Sequence, residues 1–314
     1  MFRWLYCGRL EGMSVLRTVF DVQWSTLVLA LILLGMVALA CGSNSSEPDL
    51  QPAPSAELIS TDLALGENRI AFGLIDPRLG AIKGAPVQVQ AFFLADSPEP
   101  VAPQQPVEAV FQEWPGGFGG VYVARIGFDQ PGEWGLAIYL MQPDGAIVPV
   151  TTTVRVARES RTPPIGSPAP SSVNKTAKDV VDLKDLTTDM EPDVELYAMT
   201  IAEALLTEAP LLVTFATPAY CTSATCGAQV DMVKKLKANY GDRMNFIHVE
   251  VYDNPSDIRE GGFELGRISP TLAEWNLTTE PWTFVMDSQG LVHAKFEGFV
   301  GVVELEEAID QVFR

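Results

Sequence analysis

Cys221 and Cys226 are the residues of this chain best placed to do chemistry. They sit in TFATPAYCTSATCGAQVD, residues 214–231, with four residues between them. A thiolate at a strand-to-helix joint can attack a disulfide, and a second thiol can resolve the mixed intermediate. The same two sulfurs could instead reduce a peroxide through a sulfenic acid, clip a soft metal, or close a disulfide that only staples a loop to its helix. Only two histidines accompany them. His248, in FIHVEV, reads as a core or edge residue of a strand, and His293, in LVHAKF, as a solvated one. No metal and no cofactor are expected.

The pattern around the cysteines alternates strand and helix. TIAEALLTE (200–208) predicts a short helix, PLLVTFA (210–216) a buried strand, and the residues after the cysteines a helix running to Tyr240. Val230, Val233, Leu236 and Tyr240 would share its apolar face, leaving Lys234, Lys235 and Lys237 mostly exposed. MNFIHVEVYD (244–253) is a second strand and SPTLAEWNLT (269–278) a short helix with its exit. WTFVMDSQGLVHAKFEG (282–298) is a hairpin turning at Asp287–Gly290. VVELEEAIDQVF closes the chain as an amphipathic helix.

At three places these residues resemble the thioredoxin family. LLVTFATPAYC looks like its central strand leading to the nucleophilic cysteine. Pro281, in TEPWTFVMDSQG, stands where the family has its cis-proline. TFVMDSQGLVHAKFEG is similar to the hairpin of the membrane-attached, TlpA-like members. The resemblance covers residues 196–314 and implies an α/β thioredoxin fold. It also implies that Cys221 is the nucleophile, Cys226 the resolving cysteine, and Cys221–Cys226 their disulfide. Pro281, in the cis state, would shape a substrate groove with Trp282 and Tyr220 on its walls.

Three features depart from the family. Its cysteines are separated by two residues. On a regular helix, positions five apart point roughly 140° away from each other, so Cys221 is expected in a loop ahead of a helix that starts near Ser223 or Ala224. Thr214 stands where many thioredoxins carry a buried acid that accepts the resolving thiol's proton. Tyr220 replaces the usual tryptophan. Neither an acid nor an arginine is close to the cysteines in the sequence.

Two rival resemblances share the pair. TPAYCTSATC looks rather like the TPGCTxxxC segment of bacterioferritin-comigratory peroxiredoxins. Its Pro218 and Thr214 are out of register with that motif, however, and no arginine lies around Pro281 where that family polarises peroxide. Extracytoplasmic copper chaperones of thioredoxin fold combine two cysteines with a histidine, for which only His248 and His293 are available.

Residues 60–158 carry a different signature. RIAFGLID, VQVQAFFLA, VEAVFQEW, VYVARIGF, EWGLAIYLM and AIVPVTTTVRV are short β runs separated by turn chemistry such as PGGFGG, DQPG and QPDG. That predicts an all-β sandwich. GVYVARIGFDQPGEWGLAIYL resembles the late hairpin of immunoglobulin-like sandwiches in extracytoplasmic bacterial proteins. Residues 159–195 begin Pro/Ser-rich and end acidic, and are expected to be a semi-extended linker holding two domains apart.

The N-terminus sets the compartment. Arg3, Arg9 and Arg17 precede a charge-free stretch over residues 22–46 whose apolar centre, TLVLALILLGMVALAC, has signal-peptide length. Its end, Ala38 to Cys41, resembles the lipobox of bacterial lipoproteins. That resemblance implies cleavage after residue 40, lipidation of Cys41, a polar tether over 41–59 and a place on the extracytoplasmic face of the cell membrane. Cys7 would leave with the signal, so only Cys221 and Cys226 remain for an oxidising compartment. The net charge is −19; losing three basic and two acidic residues with the signal leaves 18 against 38, or −20. So acidic a chain excludes nucleic acid as a partner, and attachment to anionic headgroups would rest on lipid.

The reading is therefore a lipid-anchored, two-domain protein performing thiol–disulfide exchange on a protein thiol or disulfide, with an electron donor the sequence does not identify. The alternatives are a non-catalytic binding protein with a structural disulfide, and a thiol peroxidase.

Overall fold

Alternation of apolar and polar residues between 55 and 157 folds as strands, in a computed structural model that describes residues 53–94, 102–221 and 225–314. The apolar N-terminal run, Cys41 and the first part of the expected tether lie outside the described residues. Among the described residues, no helix is long and apolar enough to cross a membrane.

The strands are β1 (Ser55–Leu58), β2 (Leu63–Ala64), β3 (Gly66–Asp76), β4 (Gly80–Ala81), β5 (Val87–Phe93), β6 (Val107–Glu113), β7 (Gly120–Phe128), β8 (Gly132–Met141) and β9 (Ile147–Ala157). They hydrogen-bond in the order β1-β3-β7-β6-β5-β8-β9-β2, with β4 folded back on β3. Where the sequence suggests two separate sheets, the strands make one continuous path. The reason lies in β6. Val107 and Ala109 pair with Val89 and Val87 of β5, whereas Val110 and Glu113 pair with Val123 and Gly120 of β7. A strand shared in this way turns a corner, so the sheet curls over its own core. Ile70, Phe72, Leu136 and Ile138 fill that core. β1 comes from residues expected to end the tether; pairing with β3 recruits them into the sheet.

The remaining elements are α1 (Ile201–Leu205), β10 (Leu211–Ala216), α2 (Thr225–Tyr240), β11 (Asn245–Glu250), α3 (Pro255–Gly261), α4 (Pro270–Glu274), β12 (Trp282–Met286), β13 (Val292–Glu297) and α5 (Val302–Val312). The strand order is β11-β10-β12-β13. β10 and β11 are parallel, and the other pairs antiparallel. β10, LLVTFA, is buried at every position, as a central strand covered on both faces must be. Leu212 packs with Val233 and Leu236 of α2 and Leu305 and Ile309 of α5. Leu211, Val213 and Phe215 pack with Ile201, Leu272 and Trp275 on the opposite face. Thr200 caps α1 with a reciprocal Thr200–Glu203 pair. At the β12–β13 turn Gly290 has φ 74°, a left-handed value that suits glycine.

The segment 159–195 does not hold two bodies apart. Pro52–Arg314 is one compact unit, and this segment lies along it. Gly166 and Ala169 N–H groups donate to the Val292 and Gly290 carbonyls at 2.7 and 2.9 Å. Its acidic end meets the lysines of α2: Lys234 pairs with Asp189 at 2.6 Å and Lys237 with Asp193 at 2.9 Å. Opposite charges and the N–H groups of Gly166 and Ala169 hold it down, so neither lysine faces water freely.

The two sheet regions also meet directly. Ala71, Val121 and Val123 on the outer face of β3 and β7 join the apolar cluster that includes Phe296, Phe299 and Leu305. Beneath them Arg69, buried, donates through Nε to Glu304 at 3.0 Å and through its two terminal nitrogens to the Glu297 and Phe299 carbonyls at 3.0 and 2.8 Å. Arg125 Nη2 and Gln112 Nε2 complete the Glu304 carboxylate at 2.8 and 2.7 Å. Glu297 accepts from Thr61 N and Thr61 Oγ1, both at 2.6 Å. A Cβ at Gly298 would lie 2.3 Å from the Ile59 side chain, so the close approach of the two regions needs glycine there.

Candidate functional site

Thr217 begins the site because the chain must leave β10 there. The Tyr220 N–H donates to the Thr217 carbonyl at 3.3 Å, closing a turn. Ala219 N–H donates to Thr188 Oγ1 at 3.2 Å, so the docked 159–195 segment supports the loop from outside. Cys221 follows, half-buried, and Cys226 occupies the second position of α2 with no exposure. The two are joined in a disulfide with Cα atoms 5.9 Å apart, within the ordinary range. Cys221 thus precedes the helix and Cys226 belongs to its first turn, where the helix dipole favours negative charge.

Glu280 was not legible as part of this site. It lies 54 residues after Cys226, yet its Oε2 is 3.5 Å from Cys226 Sγ. The same oxygen accepts the Thr217 N–H at 2.8 Å. The expectation of no acid near the cysteines is corrected by this contact: β12 pairs antiparallel with β10, which returns residue 280 to the end of β10. Burial pushes the Glu280 carboxyl up to about 7. The Thr217 N–H works against that shift, and repulsion from Glu250 adds to it. The Glu280–Pro281 peptide bond is cis. A faint sequence signal existed, an acid directly before the proline already singled out.

Glu250 ends β11 opposite Ala216. It is buried and accepts from Thr188 N and Thr188 Oγ1 at 2.7 and 2.9 Å. Burial pushes its carboxyl up, with hydrogen bonds from Thr217 and Thr188 opposing. Tyr252 is raised in turn by burial and by the charges of Glu280 and Glu250.

The other sequence candidates fall into place around this centre. Thr214 is buried, its hydroxyl 3.0 Å from that of Thr283 and 3.2 Å from the Trp282 carbonyl. Trp282, expected on a groove wall, is instead in the core. It is 3% exposed, stacks on Phe284, and donates from its indole to Thr279 Oγ1 at 2.9 Å. The reason is parity: with Phe284 and Met286 it faces the Phe215–Trp275 cluster. Tyr220 remains partly exposed and meets Phe263 edge-on at 6.3 Å between centroids. His248 is a core residue. Its Nε2–H donates to the Ala216 carbonyl at 3.0 Å, so Nδ1 accepts from the Tyr197 hydroxyl at 2.7 Å. Burial pushes it down to about 4. His293 lies against Gln311 at 3.0 Å, and neither histidine reaches the sulfurs.

Cys221, Cys226 and Glu280 place two sulfurs and a carboxylate oxygen within 4.8 Å of one another. The sulfurs are bonded to each other, so in this state they offer no thiolate to a metal. A cavity of about 630 Å³ lies between β6 and α5, walled by Val110, Phe111, Val302 and Val303, and touches none of these three residues.

No protein-family profile matches the chain, and no curated protein sequence matches it. Among solved structures it is similar to a thio-disulfide isomerase from Thermus thermophilus, with 25% identity, a TM-score of 0.25 and coverage of 33% of this chain and 78% of that one. It is also similar to a DUF4784 family protein from Bacteroides caccae, with 17% identity, a TM-score of 0.22 and coverage of 33% of this chain and 23% of that one.

Proposed function

We propose that this protein carries out thiol–disulfide exchange through Cys221 and Cys226. The observation that carries the reading is the asymmetry of the pair: Cys221 only partly buried in a loop, its partner Cys226 wholly buried on the first turn of α2. A staple needs no such difference. An exchange centre does, because the substrate must reach one sulfur while the other waits to resolve the intermediate. Cys221 is then the nucleophile and Cys226 the resolving cysteine. In this reading β10, α2, β11, β12, β13 and α5 form a thioredoxin-type core, and the N-terminal strands an immunoglobulin-like sandwich. Tyr220 borders the substrate, while Pro281 and Trp282, both buried, shape that edge from beneath.

The substrate is a protein thiol or disulfide met outside the cytoplasm, and a lipidated Cys41 holds the protein at the membrane. No cofactor takes part; electrons come from a donor thiol. The test is the reduction potential of the pair against glutathione in the full chain, with Cys221→Ser as the control for exchange with a disulfide peptide. Exchange that disappears in the variant supports the reading. A potential well below about −300 mV with no exchange would place the pair among structural disulfides, and peroxide consumption that depends on Cys221 would make it a peroxidase.

A further inference from the structure

We infer that Glu280 is the group that passes a proton to and from the Cys226 sulfur each time the Cys221–Cys226 bond opens or closes. The inference rests on the exchange reading and deepens it by assigning a catalytic residue. Geometry carries it. Cys226 is buried, so water has little access to its sulfur, yet a thiolate formed there must gain or lose a proton. Glu280 Oε2 is 3.5 Å away, within reach for a sulfur donor. The carboxylate is aimed by the Thr217 N–H at 2.8 Å, and no arginine or lysine pairs with it among the described residues. Thr214, at the place where an acid might have been sought, cannot accept the proton, because an alcohol is not a base near neutral pH; its hydroxyl bonds Thr283 and the Trp282 carbonyl. The groups facing Glu280 are Cys226 of α2, Glu250 at the end of β11 and Tyr252 just beyond it.

The step balances in both directions. From the disulfide, a donor thiolate attacks Cys221 Sγ, and the Cys221–Cys226 bond breaks. Its electron pair leaves with Cys226, which takes the proton held by Glu280. A second donor thiolate then frees Cys221 as a thiolate, and the donor leaves as its disulfide. Cys221 attacks the substrate disulfide, bonding one substrate sulfur and expelling the other as a thiolate. The second half reverses the first. The Cys226 thiol gives its proton to the Glu280 carboxylate and attacks Cys221 Sγ, and the substrate sulfur departs as a thiolate. The substrate disulfide is reduced as the protein dithiol is oxidised. A carboxyl held near neutrality suits such a shuttle, because it is available in both forms at working pH. Glu250 acts through Glu280 as a positioning residue, since both meet at Thr217.

The test follows reduction of the full-length oxidised protein by dithiothreitol, with each rate divided by the thiolate present. In the wild type this rate should fall at least about tenfold from about pH 5.5 to about pH 8.5, with a midpoint near 7. Glu280→Gln should remove the inflection and slow the reaction at the acid end by a similar factor. Glu250→Gln should move the wild-type midpoint to lower pH, because a like charge is removed. An inflection near 7 that survives in E280Q, or a flat wild-type profile, overturns the role of Glu280. Should E280Q fail to fold, carbon-13 NMR of the wild type decides. A Glu280 midpoint near 7 that moves on reduction supports the shuttle, and an ordinary glutamate midpoint indifferent to reduction overturns it. A reduced wild type that passes no electrons to a peptide disulfide overturns the functional reading instead, and is measured separately.

Discussion

Glu304 and Glu280 are both sheltered carboxylates, and what surrounds them differs. Glu304, at the meeting of the two sheets, is held by Arg69, Arg125 and Gln112. Glu280 has one amide, one sulfur and another glutamate for company. A carboxylate held by two arginines and an amide serves as a joint. A carboxylate short of donors stays near neutrality and can trade a proton. The same residue type becomes mortar in one place and reagent in the other, according to the donors that tertiary packing supplies.

The largest effect should come from breaking the joint. Arg69→Ala leaves Glu304 buried with fewer donors and the Glu297 and Phe299 carbonyls unpaired. Loss of one partner of a buried pair costs about 3–5 kcal/mol, read as a lower midpoint in urea unfolding. Removing both cysteines should cost less. A ring this small contributes about 2 kcal/mol in the chain-entropy model, so Cys221→Ser with Cys226→Ser should shift the same midpoint about half as far as R69A or somewhat more.

The reagent glutamate predicts a pH dependence. Its folded value is about 7 against an ordinary 4.5, so between those values the folded protein binds a proton the unfolded chain has released. Stability from Glu280 is therefore full below about 4.5 and lost as pH rises to about 7. His248 works in the opposite sense, because its folded value is about 4 against 6.5. Protonation of the unfolded chain then erodes stability as pH falls from 6.5. The clean measurement is the difference between wild type and E280Q. Urea midpoints should show the variant gaining on the wild type as pH rises through this window, and a constant difference would sink the assignment. The smallest effect should come from Arg155 and Glu133, an exposed pair at 3.3 Å. Glu133→Gln should change stability by under about 1 kcal/mol, which sharpens the contrast with Glu304.

Much of this was legible in short-range pattern. The alternation in VQVQAFF and VYVARIGF became β5 and β7, and the uniform apolarity of LLVTFA became a strand buried on both faces. The five-position separation of the cysteines puts Cys221 ahead of the helix, and α2 includes Cys226 but not Cys221. The docking of 159–195 was not legible. Composition describes a Pro/Ser-rich segment as extended whether or not partners wait for it, and here Lys234 and Lys237 of α2 were waiting. The burial of Trp282 was missed for a related reason: adjacency to Pro281 says where the backbone goes, while parity along β12 says where the ring goes.

What the sequence determined by itself is local: strand and helix periods, turn positions, an acidic surface and a cysteine pair at a strand-to-helix joint. Those follow from residue preferences acting over a few positions. Only the tertiary structure decided that Glu280 faces Cys226 and that Glu304 faces Arg69, across 54 and 235 residues of chain. Pairings at that range are set by strand register and packing, which bring together residues whose separation in sequence carries no periodic signal.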